Sequence, residues 1–264
     1  MAMFTWQRVN SSGIRPFLAV AGIAAIAWSL LVVPILSTER DIVSVANAVM
    51  AGEPFKAEIL ESVDAPTESK SGSAVRSSLL EKVVVIRLRQ AENAIREGDS
   101  KLVSQKLQLL AEAMDDAFRN APNDAFLWLV QFWLDNTRIG MQPKHLRFLR
   151  MSYELGQYEG WLAAKRNGVA LATYSALPKD LAEMAISEFV GLVNWGFVSE
   201  AAEIAAGPGR PIRNVLFDRL KGLKVNQRRA LAQILYRQDL DDVLVPGIAP
   251  PRPQIPMPAL PRDF

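Results

Sequence analysis

The chain has 264 residues, with 30 basic and 28 acidic side chains, one histidine and no cysteine. The absence of cysteine excludes disulfides, thiolate catalysis, iron–sulfur clusters and cysteine-ligated zinc, and a single histidine excludes multi-histidine zinc sites. Arg8 and Arg15 are the only charged residues before residue 39, so the remaining 28 basic side chains balance the 28 acidic ones. This balance argues against a concentrated basic surface, and we expect no nucleic-acid partner and no cofactor.

Residues 17–36 form an uncharged apolar run between Arg8 and Arg15 on one side and Glu39, Arg40 and Asp41 on the other. A helix of this length extends about 30 Å, the thickness of the hydrocarbon layer of a bilayer. The positive flank predicts that residues 1–16 stay in the cytoplasm and that the rest of the chain lies outside. We therefore expect a single-pass protein of a bacterial inner membrane whose main domain is periplasmic.

Two alternatives to a retained anchor remain open, namely a cleaved signal peptide and a buried helix of a soluble domain. The small-x-small sequence at 46–48 lies well downstream of the apolar run, and the run is longer than a typical signal. Within the run, Ala21, Ala25 and Ser29 recur every four residues, a spacing that lets two membrane helices approach closely. The stripe predicts a homo-oligomer or a larger membrane partner, although alanine is also common in anchors generally.

Residues 37–77 are predicted to contain two juxtamembrane helices around a break at 52–54, followed by a serine-rich linker at 62–73. The main domain is predicted at 78–240, beginning where Ser78 and Glu81 have the spacing of a helix-capping box. Apolar residues then recur every three or four positions, and each segment ends at glycine, proline or a capping residue. Beyond Gly98, one predicted helix is capped by Asp99 or Ser100 and ends at 120–122. The next is capped at 123–124 and is apolar nearly all round from Phe126 to Leu134. The later predicted helices cover 143–155, 158–174, 179–194, 197–206, 211–220 and 225–238. The fold class is therefore all-α, built from consecutive helical hairpins.

Residues 91–128 resemble a tetratricopeptide repeat, a helix–turn–helix unit of 34 residues that stacks on its neighbours. Gly98, Ala117, Pro122 and Trp128 align with the glycine, small, proline and large aromatic positions of that repeat. The resemblance implies a helical solenoid with a groove that binds peptides or subunits, and a generic helical bundle is the alternative. A fainter resemblance of the whole layout to accessory proteins of bacterial envelope polysaccharide assembly implies a role in that process.

Aromatic residues in the predicted helices are candidates for a sugar- or peptide-binding groove, although such residues more often fill the seams between helices. The candidates for partner binding are Trp128, Trp133, Tyr158 and Trp161, and Tyr153 and Trp195 belong to the same aromatic set. A second candidate surface is basic. Lys144, Arg147 and Arg150 recur every three residues and predict a polyanion-binding face, with a solvated helix face as the alternative. We expect the neighbouring His145 at the surface or at its boundary.

Residues 241–264 form a predicted tail in which seven of the sixteen residues at 246–261 are proline. Such a segment favours an extended conformation that loses little entropy on binding. Pro250, Pro253 and Pro256 are therefore further candidates for partner binding, and a plain disordered terminus is the alternative.

The sequence as a whole predicts a membrane-anchored periplasmic scaffold or adaptor that binds another envelope protein. An alternative is a periplasmic glycan-acting enzyme that uses paired carboxylates such as Asp115 with Asp116 or Asp180 with Glu183. Against it, Asp180 and Glu183 fall in the first turn of a predicted helix, where negative charge is favoured for structural reasons. We therefore assign no catalytic and no metal-binding residue.

Overall fold

A computed structural model of the protein describes residues 20, 22–23, 27–28, 42–50, 75–157, 159–238, 240 and 244–249, with the backbone alone at 75–78. All regular structure in these ranges is helical, which confirms the all-α prediction for this part of the chain. The chain divides into two compact units, Met1–Asp116 and Ala117–Phe264.

Nine α-helices follow one another from residue 75 onward, and short 3₁₀ turns separate several of them. They are α1 Val75–Glu97, α2 Ser100–Asn120, α3 Ala125–Ile139, α4 Leu146–Leu155, α5 Gly160–Ala172, α6 Lys179–Trp195, α7 Val198–Ala206, α8 Arg213–Arg219 and α9 Val225–Arg237. Residues 42–50 are also helical, and Ile42 and Ala46 in this stretch are completely buried.

Within the described residues, the structure contains no helix that is both long enough and apolar enough to cross a membrane. Most of the predicted span at 17–36 falls outside those residues, and the positions inside it that are described, 20, 22–23 and 27–28, are helical. Ala21, Ala25 and Ser29, the predicted helix-contact stripe, lie outside the described residues.

Two aspartates cap the helices where the sequence predicts a start. Asp99 Oδ1 accepts hydrogen bonds from the backbone N–H groups of Lys101 and Leu102, at 2.9 and 3.2 Å. Asp124 Oδ1 caps α3 in the same way. Each carboxylate satisfies N–H groups that the first helical turn leaves without partners. The predicted cap at Ser78 is wrong, because α1 begins at Val75 and Ser78 lies inside its first turn.

Gly98 ends α1 for a conformational reason rather than for close packing. Its φ is +81°, a backbone conformation that side chains with a Cβ rarely adopt, and its N–H donates to Ala94 O at 3.0 Å. A Cβ at this position would meet no atom within 4 Å. The glycine therefore permits the turn between α1 and α2 and does not allow two helices to touch.

The helices of the second unit pack on one another. Helix α3 packs on α4, α5 on α6, and α6 also contacts α7, α8 and α9. Helix α3 buries side chains all around its axis, as its continuous apolar sequence predicts. The buried residues of this helix are Ala125, Phe126, Leu127, Leu129, Val130, Phe132 and Leu134.

The first described residues of the predicted tail, 244–249, are attached to the domain. Val245 is 1% exposed, and Arg228 Nη1 of α9 donates a hydrogen bond to Pro246 O. A turn follows in which Ile248 N–H donates to Val245 O at 3.1 Å, with Gly247 at a φ of +72°. The chain therefore leaves the domain beside α9. Pro250, Pro253 and Pro256 lie outside the described residues.

Candidate functional site

The most polar part of the core of the second unit surrounds Arg166, which projects from α5 and is 1% exposed. Its Nε and Nη2 donate to Glu188 Oε1 of α6 at 3.0 and 2.6 Å. Tyr153 of α4 contributes twice, because its ring lies 4.3 Å from the guanidinium carbon and its hydroxyl donates to Glu188 Oε2 at 3.1 Å. We call these three residues the Arg166 cluster.

Arg166 also neutralises the C-terminal end of α4. Nη1 donates to Ser152 O at 2.5 Å, and Nη2 donates to Gly156 O at 3.0 Å. The last carbonyls of a helix lack intrahelical partners and carry partial negative charge, so a cation is favoured there. The buried guanidinium is therefore compensated by one carboxylate and by one helix terminus.

Gly156 makes this arrangement sterically feasible. A Cβ at Gly156 would lie 2.6 Å from Ala125 Cβ, 2.9 Å from Leu162 Cδ2 and 3.4 Å from Arg166 Nη1. The backbone of residue 156 can approach the guanidinium only because no side chain is present.

Burial controls the protonation of the cluster. Burial raises the pKa of Glu188 above its usual 4.5, and the adjacent Arg166 offsets this effect only in part. Burial, together with the charge of Glu188, raises the pKa of the Tyr153 phenol well above 10.0. Both shifts follow from the free-energy cost of placing a charge in a poorly solvated environment.

An open cavity of about 280 Å³ adjoins the Arg166 cluster, and we call it the Trp195 groove. Met184, Ser187, Glu188 and Trp195 line it from α6, and Arg166 lines it from α5. Tyr153, Glu154 and Gln157 line it from the end of α4 and the turn that follows. Met184 and Trp195 are 39% and 47% exposed, which makes the accessible part of the groove largely apolar and aromatic.

The ring of Trp195 lies against Gly191, one helical turn earlier in α6. A Cβ at Gly191 would lie 3.1 Å from Trp195 Cη2 and 3.3 Å from Cζ2 and Cζ3. A side chain on a helix leans toward the N-terminus of that helix, so the indole covers the surface between Trp195 and Met184. Gly191 thus provides the space that the indole occupies along the groove.

Three of the predicted aromatic candidates, Trp128, Trp133 and Trp161, do not line this groove. Trp128 fills a seam between Phe118 and Phe148, with ring centroids 4.7 and 5.9 Å away, and its Nε1 donates to Pro122 O at 2.8 Å. Trp161 packs 5.4 Å from Phe126. Trp133 is half-buried on α3, and Tyr158 lies outside the described residues. Among the described members of the aromatic set, Tyr153 and Trp195 line the groove.

The three residues of the predicted basic face have different surroundings. Lys144 is exposed in the 3₁₀ turn before α4, whereas the guanidinium of Arg147 lies 4.6 Å from the Phe148 ring centroid. Arg150 Nη1 lies 2.5 Å from Asp180 Oδ2, and this pairing holds the pKa of Asp180 below its usual 3.8. Part of the positive charge of the predicted polyanion surface is thus neutralised within the protein.

The prediction that His145 lies at the surface or at its boundary is wrong, because the residue is buried, with 1% exposure. The 3₁₀ turn Pro143–His145 directs the ring inward, where Nδ1 lies 2.7 Å from Asn136 Oδ1 and the ring stacks on Phe148. The sequence conceals this position because a lone polar residue beside a proline resembles a loop residue.

Two of the four carboxylates named for the alternative enzyme hypothesis, Asp180 and Glu183, are in separate ion pairs. Asp180 pairs with Arg150, and Glu183 pairs with Arg219 of α8 at 2.8 Å. Asp115 and Asp116 lie on α2, Asp115 being exposed. In the part of the chain that the structure describes, no group of three or more histidine or acidic side chains could hold a metal ion.

Of the residues that line the groove, the sequence identifies only Tyr153 and Trp195 as candidates. Sequence reasoning missed Arg166, Glu188 and Met184 among others, although α5 carries a signal for Arg166. Its buried positions follow the helical period as Leu162, Ala163, Arg166, Asn167, Ala170 and Leu171. A charged residue on such a stripe must find a buried partner, which marks it as unusual.

No protein-family model, no curated protein and no solved structure matches the chain.

Proposed function

We propose that this protein is a membrane-anchored adaptor whose helical domain binds an extended segment of another envelope protein in the Trp195 groove. The observation that carries the proposal is the pair of exposed apolar side chains, Trp195 and Met184, at an open cavity beside a polar cluster. Exposed aromatic surface next to a concavity is typical of a site for a partner protein.

The internal hydrogen bonding of the Arg166 cluster favours binding over catalysis. The Arg166 donors contact Glu188 and the carbonyls at the end of α4, while Tyr153 donates to Glu188. A catalytic acid or base needs access to a substrate proton, and an anion site needs uncommitted donors. The cluster is better suited to hold three helices in a fixed arrangement around the groove.

The anchor rests on the uncharged run at 17–36 and on the positive residues that precede it. Three described side chains in this run, Val20, Ile23 and Trp28, are 66%, 68% and 69% exposed. Large apolar groups in contact with solvent are unfavourable, and a lipid environment would remove this cost. We propose that the anchor is retained, with the domain periplasmic, and that Ala21, Ala25 and Ser29 contact another membrane helix.

The proposal also includes the tetratricopeptide-like arrangement and the role in polysaccharide assembly that the sequence predicts. The packing of α3 on α4 and of α5 on α6 supports an arrangement in helical hairpins, and we propose that it is tetratricopeptide-like, since stacked helical pairs of that kind present concave binding surfaces. Assembly or export of a cell-surface polysaccharide is the process in which we place the adaptor. The glycan-acting enzyme receives no support from Asp180 and Glu183, because each of them is paired with a different arginine.

Purification of tagged full-length protein from native membranes in mild detergent tests the proposal. Trp195→Ala and Met184→Ala are compared with Ile139→Ala, which truncates a 57% exposed apolar residue on α3. A buried aromatic anchor at an interface contributes about 2 kcal/mol, so we expect Trp195→Ala to weaken partner binding about 30-fold. Ile139→Ala should retain the partner. Recovery of the wild type as a solitary monomer, or equal recovery of the partner with Trp195→Ala, would contradict the proposal.

The anchor is tested separately by alkaline carbonate extraction and by protease added from the periplasmic side. We expect the full-length protein to stay with the membrane and its domain to be accessible to protease. Release into the soluble fraction would refute the anchor without affecting the groove.

A further inference from the structure

We propose that the proline-rich segment 250–261 of the same chain binds in the Trp195 groove and competes there with the partner protein. The inference rests on the proposed function of the groove as a binding site and adds a regulatory occupant. Four properties of the groove and of the chain support it: the exit point of the tail, its length, its charge and its backbone chemistry.

The exit point lies close to the groove. Arg228 holds Pro246 O, and the preceding residue, Gln227, donates from Nε2 to Asn194 O and Oδ1 at 3.1 and 2.6 Å. Asn194 directly precedes Trp195 in α6. A path through these contacts from Pro246 to Trp195 measures at most about 30 Å, given 3.8 Å between adjacent Cα atoms and the lengths of the two side chains.

The tail is long enough to cover this distance. Residues 245–248 form a turn, so the extended part of the tail begins at Ala249. At about 3.1 Å per residue, the twelve residues from there to Pro261 extend about 37 Å. The C-terminal part of the segment 250–261 can therefore reach the indole of Trp195.

The charges of the two surfaces are complementary. The groove is lined by two carboxylates, Glu154 and Glu188, and by one guanidinium, Arg166, which gives it a net charge of −1. The segment 250–261, PPRPQIPMPALP, contains one basic residue, Arg252, and no acidic residue. Because Glu154 is exposed whereas Glu188 is buried with Arg166, Glu154 provides the accessible negative charge of the groove, which favours a positively charged segment.

The hydrogen-bonding groups of the tail and of the groove also complement each other. Proline has no N–H, so a proline-rich strand offers mainly carbonyl acceptors to its surroundings. Gln157, Ser187 and Trp195 carry donors on side chains that line the groove, and the flat indole is the surface against which proline rings pack in recognition of extended segments. The donors of the groove can therefore bond to the carbonyl groups of this segment.

Site-specific photo-crosslinking in the purified full-length protein tests the inference. The photoreactive residue benzoylphenylalanine replaces Trp195, and in a second variant it replaces Met184. In the control it replaces Ile139, an exposed apolar position on α3. After irradiation and proteolysis, we expect cross-links from positions 195 and 184 to peptides containing residues 250–261, and none from position 139. Adding Arg252→Glu should reduce the yield about fivefold, whereas Arg262→Glu, beyond the segment, should leave it unchanged.

The possible results separate the inference from the proposed function. A mixture of isotopically heavy and light protein should yield cross-links within single chains, and cross-links that join two copies would overturn binding within one chain. Cross-links from position 195 to a co-purified membrane protein, but not to the tail, would overturn the inference and leave the proposed function intact. Absence of any cross-link from position 184, in a variant that keeps the indole of Trp195 and melts like the wild type, would overturn both.

Discussion

Arg166 Nη2 lies 2.6 Å from Glu188 Oε1, and the two side chains are only 1% and 7% exposed. Twenty-one residues separate them in the sequence, and their contact joins α5 to α6 directly beside the Trp195 groove. A buried pair of this kind is costly to break, because either partner left alone is a desolvated charge.

Replacing Arg166 with methionine should therefore lower the free energy of unfolding by about 3–5 kcal/mol, measured by denaturant titration. Arg219→Met is the matched control, because it breaks the ion pair with Glu183, whose partners are 49% and 47% exposed. This exposed pair should contribute less than about 1 kcal/mol. The double variant Arg166→Met/Glu188→Leu should recover much of the lost stability. Equal effects of Arg166→Met and Arg219→Met would contradict the assigned role of the cluster.

Replacing Tyr153 with phenylalanine should reduce the loss of folding stability that accompanies a rise to alkaline pH. Burial raises the pKa of Tyr153 in the folded protein well above 10.0, so the unfolded chain loses this proton at a lower pH than the folded chain does. The resulting stability is fully present below pH 10.0 and is lost as the pH rises through the folded pKa. We expect wild-type stability to fall more steeply than that of Tyr153→Phe as the pH rises above about 10. Equal slopes for Tyr153→Phe and the wild type would contradict the burial of this phenol in the folded protein.

Substitution of Gly156 with alanine should destabilise the protein by about 1–3 kcal/mol, because the added methyl group would overlap Ala125 and Leu162. Gly168→Ala is the matched control in the interior of α5, where an added Cβ would meet no atom within 4 Å. This control should stabilise the protein by up to about 1 kcal/mol through higher helix propensity. Thermal melts of both variants check the prediction, which fails if Gly156→Ala melts like the wild type.

Gly191→Ala should separate binding from stability. Alanine favours the helix over glycine by about 0.8–1 kcal/mol, but its methyl group would displace the Trp195 ring, 3.1–3.3 Å away. We expect a melting temperature equal to or above that of the wild type, together with reduced recovery of the partner from native membranes. Undiminished recovery would show that the position of the indole against Gly191 is unimportant for the groove.

Helices could be predicted from the sequence because their signals are local. The apolar period and the aspartates before α2 and α3 lie within a few residues of the feature they determine, and the predicted ends of most helices agree with the structure. The predicted helix start at Ser78 is wrong because it also relies on a local signal alone. A capping spacing can occur inside a helix when the helix begins a turn earlier.

The groove could not be predicted because it depends on contacts between distant segments. Trp128 and Trp195 are equivalent in sequence as large aromatic residues, but only Trp128 is enclosed by Phe118 and Phe148. Arg166 stands out as a charge on an apolar stripe, but nothing local to it identifies Glu188 as its partner. The steric requirement for glycine at 156 likewise arises from Ala125, thirty-one residues earlier.

The contacts of Arg166 also affect the rates at which ligands bind to the groove and leave it. One guanidinium is bonded simultaneously to the end of α4 and to α6, so the spacing between Tyr153 and Trp195 is set before any ligand arrives. A receptor with fixed geometry has little of its own freedom to lose on association. Differences in affinity among ligands should then appear mainly in how long each one stays bound, because arrival requires no rearrangement of the helices.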